Sequence, residues 1–180
     1  MNNNIQIVTK DNVPLRAGSM AEAWQEGLYH RIVRVILTDG KKSVLLQKRG
    51  PEMEVYPNRW TDSASGHVDF QEAPDAAARR ELSEELGVVT PLNYVTTFLT
   101  KYRVDDKEIN TFNLIYTGKL NQNTHLAVDT HEVADTKWVR YSELISDLEN
   151  DTQSYTPYLR EIICDHGGQL LAGKQGRSLK

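Results

Sequence analysis

The sequence predicts an α/β domain in which a mixed β-sheet is sandwiched between α-helices. Three observations carry that expectation. Two apolar, β-branched-rich runs, IVRVILT from Ile32 and SVLLQKR from Ser43, read as strands joined by the hairpin signal DGKK. A stretch of strong helix formers, PDAAARRELSEEL from Pro74, interrupts the strand pattern. Strands resume at YVTTFLTKYRV and INTFNLIYTGKL, so they lie on both sides of that helix in sequence, and short connections suit a sheet covered by helices.

In chain order, Ile5 to Val8 reads as a first short strand, followed by a turn at Asp11, Asn12 and Pro14. Residues 20 to 28, MAEAWQEGL, have helical composition. After the hairpin, GPEMEVYPNRW has two prolines and no periodicity and reads as a loop placed to rim a binding site. The turn VDDKE separates the two later strands, and Trp138 with Val139 forms a last short one. YSELISDLEN and TPYLREIICDH carry helical apolar spacing, the second with Thr156 as N-cap before Pro157. From Gly167 the tail GGQLLAGKQGRSLK is expected to be ordered in part at most. Without repeats or linkers, residues 1–180 are expected to form one domain. Its core spans about residues 28–150, with an N-terminal strand-and-helix extension and a C-terminal helix and tail.

Composition narrows the function without naming it. The chain has 180 residues, 39% hydrophobic and 26% charged, with a formal net charge of −4. Nothing in that balance suggests a general nucleic-acid surface, so an anionic substrate needs a local cationic site or a metal. No apolar run approaches the roughly 18 residues that span a bilayer. The N-terminus lacks the pattern of a secretory signal. The single cysteine, Cys164, excludes an intrachain disulfide and a cysteine zinc cluster, and is read as a small core residue. Cytoplasmic residence is the expectation.

The helix from Pro74 poses the chemical question. Pro74 suits the first helical turn, and Gly87 suits the left-handed residue that ends it. At about 100° per residue, Ala78, Leu82 and Leu86 form one apolar stripe. Glu81, Glu84 and Glu85 fall beside that stripe, within roughly 100° of one another. Like charges four apart cost about 0.2–0.5 kcal/mol per pair, more where water is scarce. A solvated acidic face would give the same three glutamates. Their place beside the buried stripe favours a bound hard cation, and Arg80, four residues before Glu84, can pair with it.

A longer pattern strengthens the point. Gly66, Glu72, Arg80-Glu81-Leu82, Glu84-Glu85 and Gly87-Val88 occupy nine fixed positions between Gly66 and Val88. These residues resemble the Nudix box, the signature of the Nudix hydrolases, at every fixed position. The resemblance implies the Nudix fold and a loop–helix–loop that holds Mg²⁺ or Mn²⁺. Glu81, Glu84 and Glu85 match the family's metal-binding carboxylates, Gly66 the carbonyl that completes the inner shell, and Glu72 the outer glutamate. Arg80 matches the arginine that orients the acids. Gln71 stands where glycine is more usual. The implied reaction is hydrolysis of a diphosphate linked to another moiety, with Glu81 and Glu84 also candidates to help deprotonate the attacking water. Glu132, in HEVADTKWV, is the candidate general base, with Glu108 as second. Lys48, Arg49 and Arg59 are candidates to clamp phosphate. Trp60 and Tyr56 are read as packing beneath the loop rather than stacking on a base.

Residues 28 to 140, through LYHRIVRVIL, VLLQKR and YPNRWTDSASGHV, further resemble the branch containing type I isopentenyl diphosphate isomerases and their hydrolase-like relatives. There, Ser65 stands in place of a catalytic cysteine. His30 and His67 match two metal-binding histidines, but no partner is found near Ala23, and the late glutamates map poorly onto Glu108 and Asn110. For each histidine a structural or rim-exposed role is the expectation over metal ligation. A serine hydroxyl is far less acidic than a thiol, so the balance favours a hydrolase over an isomerase. A nucleotide-binding module without catalysis is the third reading, opposed by the intact carboxylates. The implied substrate is a nucleoside diphosphate derivative or another small organic diphosphate. A homodimer is common in that family.

Overall fold

The computed structural model describes residues 4–104 and 107–172. Its elements run β1 (Ile5–Val8), β2 (Pro14–Gly18), α1 (Met20–Glu26), β3 (Tyr29–Thr38), β4 (Ser43–Arg49), β5 (Trp60–Thr61), β6 (Ala64–His67), α2 (Pro74–Leu86), β7 (Leu92–Val104), β8 (Lys107–Lys119), β9 (Val133–Arg140), α3 (Tyr141–Asn150) and α4 (Pro157–Ala172). The sheet is mixed and organised around β3. One edge of β3 runs parallel to β8 from Tyr29↔Asn110 to Thr38↔Lys119. The other edge is shared in succession by β1, β6 and β4, all antiparallel.

Strand alternation decides which helix covers which face. Val33, Val35, Leu37 and Leu45 point to α2 and bury Ala78, Leu82 and Leu86 beneath it. Ile36, Val44 and Leu46 point the other way, onto Leu144 and Leu148 of α3 and Leu159 and Ile162 of α4. The mixed sheet between helices is therefore as the sequence predicted. Among the described residues, no helix is long and apolar enough to cross a membrane.

Four local expectations are corrected. The turn at Asn12 is followed by a strand, β2, which pairs with β1; its exposed residues carry no alternation to reveal it. The last strand spans Val133–Arg140, well beyond Trp138 and Val139, because all its pairing is with β4 at the sheet margin. Helix α4 continues through Gly167 and Gly168 to Ala172. There the phenol of Tyr141 packs so close that a Cβ on Gly167 would collide with it, so the glycine serves helix packing rather than termination. Residues 173–180 of the expected tail, like Asp105 and Asp106 of the VDDKE turn, lie outside the described residues. Finally, Cys164 is exposed rather than in the core.

Thr156 directs its hydroxyl to Thr61 at 3.1 Å. The expected ends of α2 are present, with Pro74 in the first turn and Gly87 at φ 66°. Gln71 takes φ 65°, the left-handed region that its family counterpart, glycine, enters freely. Its N–H is anchored on the buried Gln6 amide oxygen at 3.2 Å.

Candidate active site

The apolar stripe of α2 carries two of its three glutamates inward. Glu81 and Glu85 are 9% and 2% exposed, whereas the Glu84 side chain remains 60% exposed. Directly beneath, β6 presents Gly66, paired with Val33 of β3. A side chain on Gly66 would collide with the Glu81 carboxylate, so glycine lets the acid lie against the backbone.

Arg80 organises the N-terminal half of this cluster. Its guanidinium forks onto Glu72, with Nε to Oε1 at 3.0 Å and Nη2 to Oε2 at 2.9 Å, and Nη2 also donates to the His67 carbonyl. Nη1 lies 2.7 Å from Glu81 and 3.1 Å from Glu84, bridging both acids. Glu85 is held from the sheet instead. The Ser65 N–H donates to Oε1 at 3.0 Å, and the Gln47 amide donates to Oε2 at 2.6 Å.

The loop before β9 is fastened to the other end of α2. The N–H groups of Ala127 and Asp129 donate to the carbonyls of Leu86 and Glu85, which otherwise have no partner within the helix. The Gly50 N–H donates to the Glu132 carbonyl at 2.7 Å. These ties bring half-buried Glu132 into the field of Glu81, Glu84 and Glu85. Arg49 joins this group electrostatically, facing Glu132 and His67, with its Nε held on the Val55 carbonyl at 2.8 Å.

Lys48 and Arg59 have other neighbours. Lys48 has the parity of Leu46, on the α4 side, where its charge meets Lys137. Arg59 donates to the Tyr155 carbonyl and the Gln153 side chain and lies 5.1 Å over the Tyr56 ring. Trp60 packs against the α4 core beneath Lys137, and Tyr56 packs on Tyr102 and Tyr158, matching the packing reading of both. Glu108 pairs with Arg103 at 2.9 Å. His30 and His67 are stacked at 5.3 Å. Burial lowers them to about 4 and about 3, so both imidazoles are neutral near pH 7.

Among the described residues, no set of three or more His, Cys, Asp or Glu side chains is gathered around one point as metal ligands. The donors nevertheless fit a hard divalent ion, being carboxylate oxygens beside a closely approached glycine backbone. Burial raises Glu81 to about 7 against the pull of Arg80, and raises Glu85 well above the usual carboxylate range. Two desolvated acids so placed call for a counter-charge.

A pH dependence follows for the chelator-treated protein. An acid whose folded pKa is raised holds its proton longer in the folded state, so its stabilising contribution is lost as pH rises through the folded value. The buried histidines act with the opposite sign, their contribution being lost as pH falls below about 6.5. From pH 6.5 upward the unfolded-state histidines lose their remaining protons, and the two raised acids dominate. The urea midpoint is therefore expected to fall between pH 6.5 and 7.5, and added Mn²⁺ to recover it at the upper end. A midpoint that is flat or rising over that window would contradict the assignment.

Sequence reasoning missed Gln47 and the loop at Ala127 and Asp129. Gln47 did carry a signal: a polar residue two positions after Leu45, on the inward parity of an apolar strand. The loop contacts carried none.

The model of the NUDIX domain matches residues 28–162. The chain belongs to the Nudix family. Among similar Nudix-related sequences is isopentenyl-diphosphate Delta-isomerase 2 of Photorhabdus laumondii subsp. laumondii, 30% identical over 164 residues, covering 91% of this chain and 92% of that protein. Another is the prenyl-diphosphate phosphatase of Methanosarcina mazei, 32% identical over 136 residues, covering 74% and 77%. The Nudix fold is also matched by the crystal structure of DR0079 from Deinococcus radiodurans, with a TM-score of 0.74 and 17% identity over 90% of this chain and 98% of that one.

Proposed function

We propose that this Nudix protein is a divalent-metal-dependent hydrolase that cleaves the diphosphate linkage of a nucleoside diphosphate derivative or another small organic diphosphate. The observation that carries this reading is the buried acid pair Glu81 and Glu85, with Glu81 against the Gly66 backbone, Glu84 linked to Glu81 through Arg80, and Glu132 and Arg49 within the same electrostatic field. Glu81, Glu84, Glu85 and the Gly66 carbonyl would hold Mg²⁺ or Mn²⁺, which would supply Lewis-acid polarisation of the diphosphate and a lowered pKa for water. Glu72 and Arg80 keep those carboxylates in place. Arg49 offers its remaining guanidinium N–H groups to phosphate oxygens. Glu132 accepts the proton of the attacking water as the new P–O bond forms and the bridging P–O bond breaks.

Glu132→Gln keeps size and polarity but removes the base, and is expected to lower kcat by at least about 10²-fold. A loss under tenfold would take Glu132 out of the mechanism.

A second reading, isomerisation of isopentenyl diphosphate, is favoured by relatives named as isomerases. It is opposed by Ser65, whose hydroxyl is a poor proton partner where a thiol is required. The test is a product assay with Mg²⁺ or Mn²⁺ across nucleoside di- and triphosphates and prenyl diphosphates. Metal-dependent phosphate or pyrophosphate release supports the hydrolase and identifies the substrate class. Dimethylallyl diphosphate formed without phosphate release would replace it with the isomerase.

A further inference from the structure

Gln47 lies inside the sheet, 3% exposed, on the face of β4 that meets α2. Its inward neighbour on that parity, Leu45, is a core residue. An amide in such a place needs partners for both its ends. Its Nε2 has one, donating at 2.6 Å to Glu85 Oε2, while the Ser65 N–H holds the other oxygen of that carboxylate. Its Oε1 is buried and, among the described residues, has no hydrogen-bond partner. A buried acceptor left unsatisfied costs about 1–3 kcal/mol. Leucine or methionine would fill the same space without that cost, as Leu45 and Leu46 do on either face of the same strand.

The retained acceptor, joined through its own amide to one of the Nudix acids, points to a ligand that completes it. We propose that Gln47 is a positioning residue for the metal centre. Its Nε2 fixes the rotamer of Glu85, and its Oε1 accepts a hydrogen bond from a water bound to the divalent ion. A glutamine suits both duties because it offers one donor end and one acceptor end on a single rigid plane. Glutamate would repel Glu85, and an apolar residue would leave it free to turn. Arg80 secures Glu81 and Glu84 from within the helix itself, and Gln47 secures Glu85 from the sheet, so the acids are held from two different elements.

This inference rests on the metal-dependent reading above, and the test separates the two. Mn²⁺ is titrated into chelator-stripped full-length protein, with free Mn²⁺ followed by electron paramagnetic resonance. Wild type is compared with Gln47→Met, which keeps volume and loses both hydrogen-bonding ends. The expected result is a Kd for Mn²⁺ about 10–100-fold weaker in Gln47→Met, the range seen when an outer partner of a metal ligand is removed. The thermal midpoint without metal should move little. If wild type binds no Mn²⁺, the metal-dependent reading fails and this inference with it. If wild type binds and Gln47→Met binds within twofold of it, the metal reading stands and the role of Gln47 is overturned. Should Gln47→Met not fold, Gln47→Asn decides. It keeps both polar ends one methylene too short, so tenfold weaker binding supports the role and unchanged binding refutes it.

Discussion

Glu84→Gln is expected to lower metal-dependent phosphate release by about 10³–10⁴-fold, several kcal/mol of lost transition-state stabilisation. The size of the effect reflects what the position lacks. Glu84 is the exposed acid of the three, and among the described contacts its carboxylate is held by Arg80 at 3.1 Å. Replacing it removes no core packing and one partly screened ion pair, so stability should change by no more than about 0.5 kcal/mol. Loss of activity with an unchanged thermal midpoint would therefore report on metal and phosphate chemistry alone. Glu81 and Glu85 cannot serve this purpose as well, because their burial mixes the two effects. Phosphate release from Glu84→Gln within tenfold of wild type would remove Glu84 from the metal site.

The largest stability effect is expected on the opposite face of the sheet. Arg34 sits within an apolar strand, its side chain 4% exposed, with Nη1 on Asp62 at 3.0 Å and Nε on Asn113 at 2.7 Å. Its guanidinium lies 3.6 Å over the Tyr158 ring. One side chain thus ties β3 to β8, to the turn between β5 and β6, and to α4. Arg34→Met keeps the length of the aliphatic stem but strands Asp62, which is fully buried. Removing one partner of such a pair costs about 3–5 kcal/mol. Urea denaturation should show that loss as a lower midpoint, and Arg34→Met combined with Asp62→Leu should recover a substantial part of it. A single variant less than 1 kcal/mol below wild type would mean that the pair does not anchor this layer.

These two sites differ in how readable they were. The acid helix announced itself through local signals: Pro74 at its start, Gly87 at its end, and Ala78, Leu82 and Leu86 spaced to bury one face. What locality could not convey is the split among the glutamates, with Glu85 buried against the sheet and Glu84 left exposed. Arg34 stood in the sequence as an unexplained charge inside IVRVILT. Its partner is 28 positions away and is brought alongside by the pairing of β6 with β3 and of β5 with β4. Lys48 and Arg49 are adjacent in sequence, yet alternation along β4 gives them different neighbours. Gly167 misled for a related reason. A glycine pair normally ends a helix, and only the Tyr141 phenol, brought over by α3, shows why this one continues.

The central parallel pair has a consequence for how the chain is made. β3 is bonded along one edge to β8, joining residues such as His30 and Thr111 that are 81 positions apart. Everything needed for the acid helix to rest on β3 and β6 is synthesised well before β8. During that interval β3 presents an open edge of apolar, β-branched residues, the surface on which chains mispair and aggregate. Closing so long a loop is entropically slow, and parallel strands of high sequence separation pair late. Pairing of this parallel edge on the ribosome thus waits for Lys119, made after the acid helix and before Glu132 and the helices that cover the other face of the sheet.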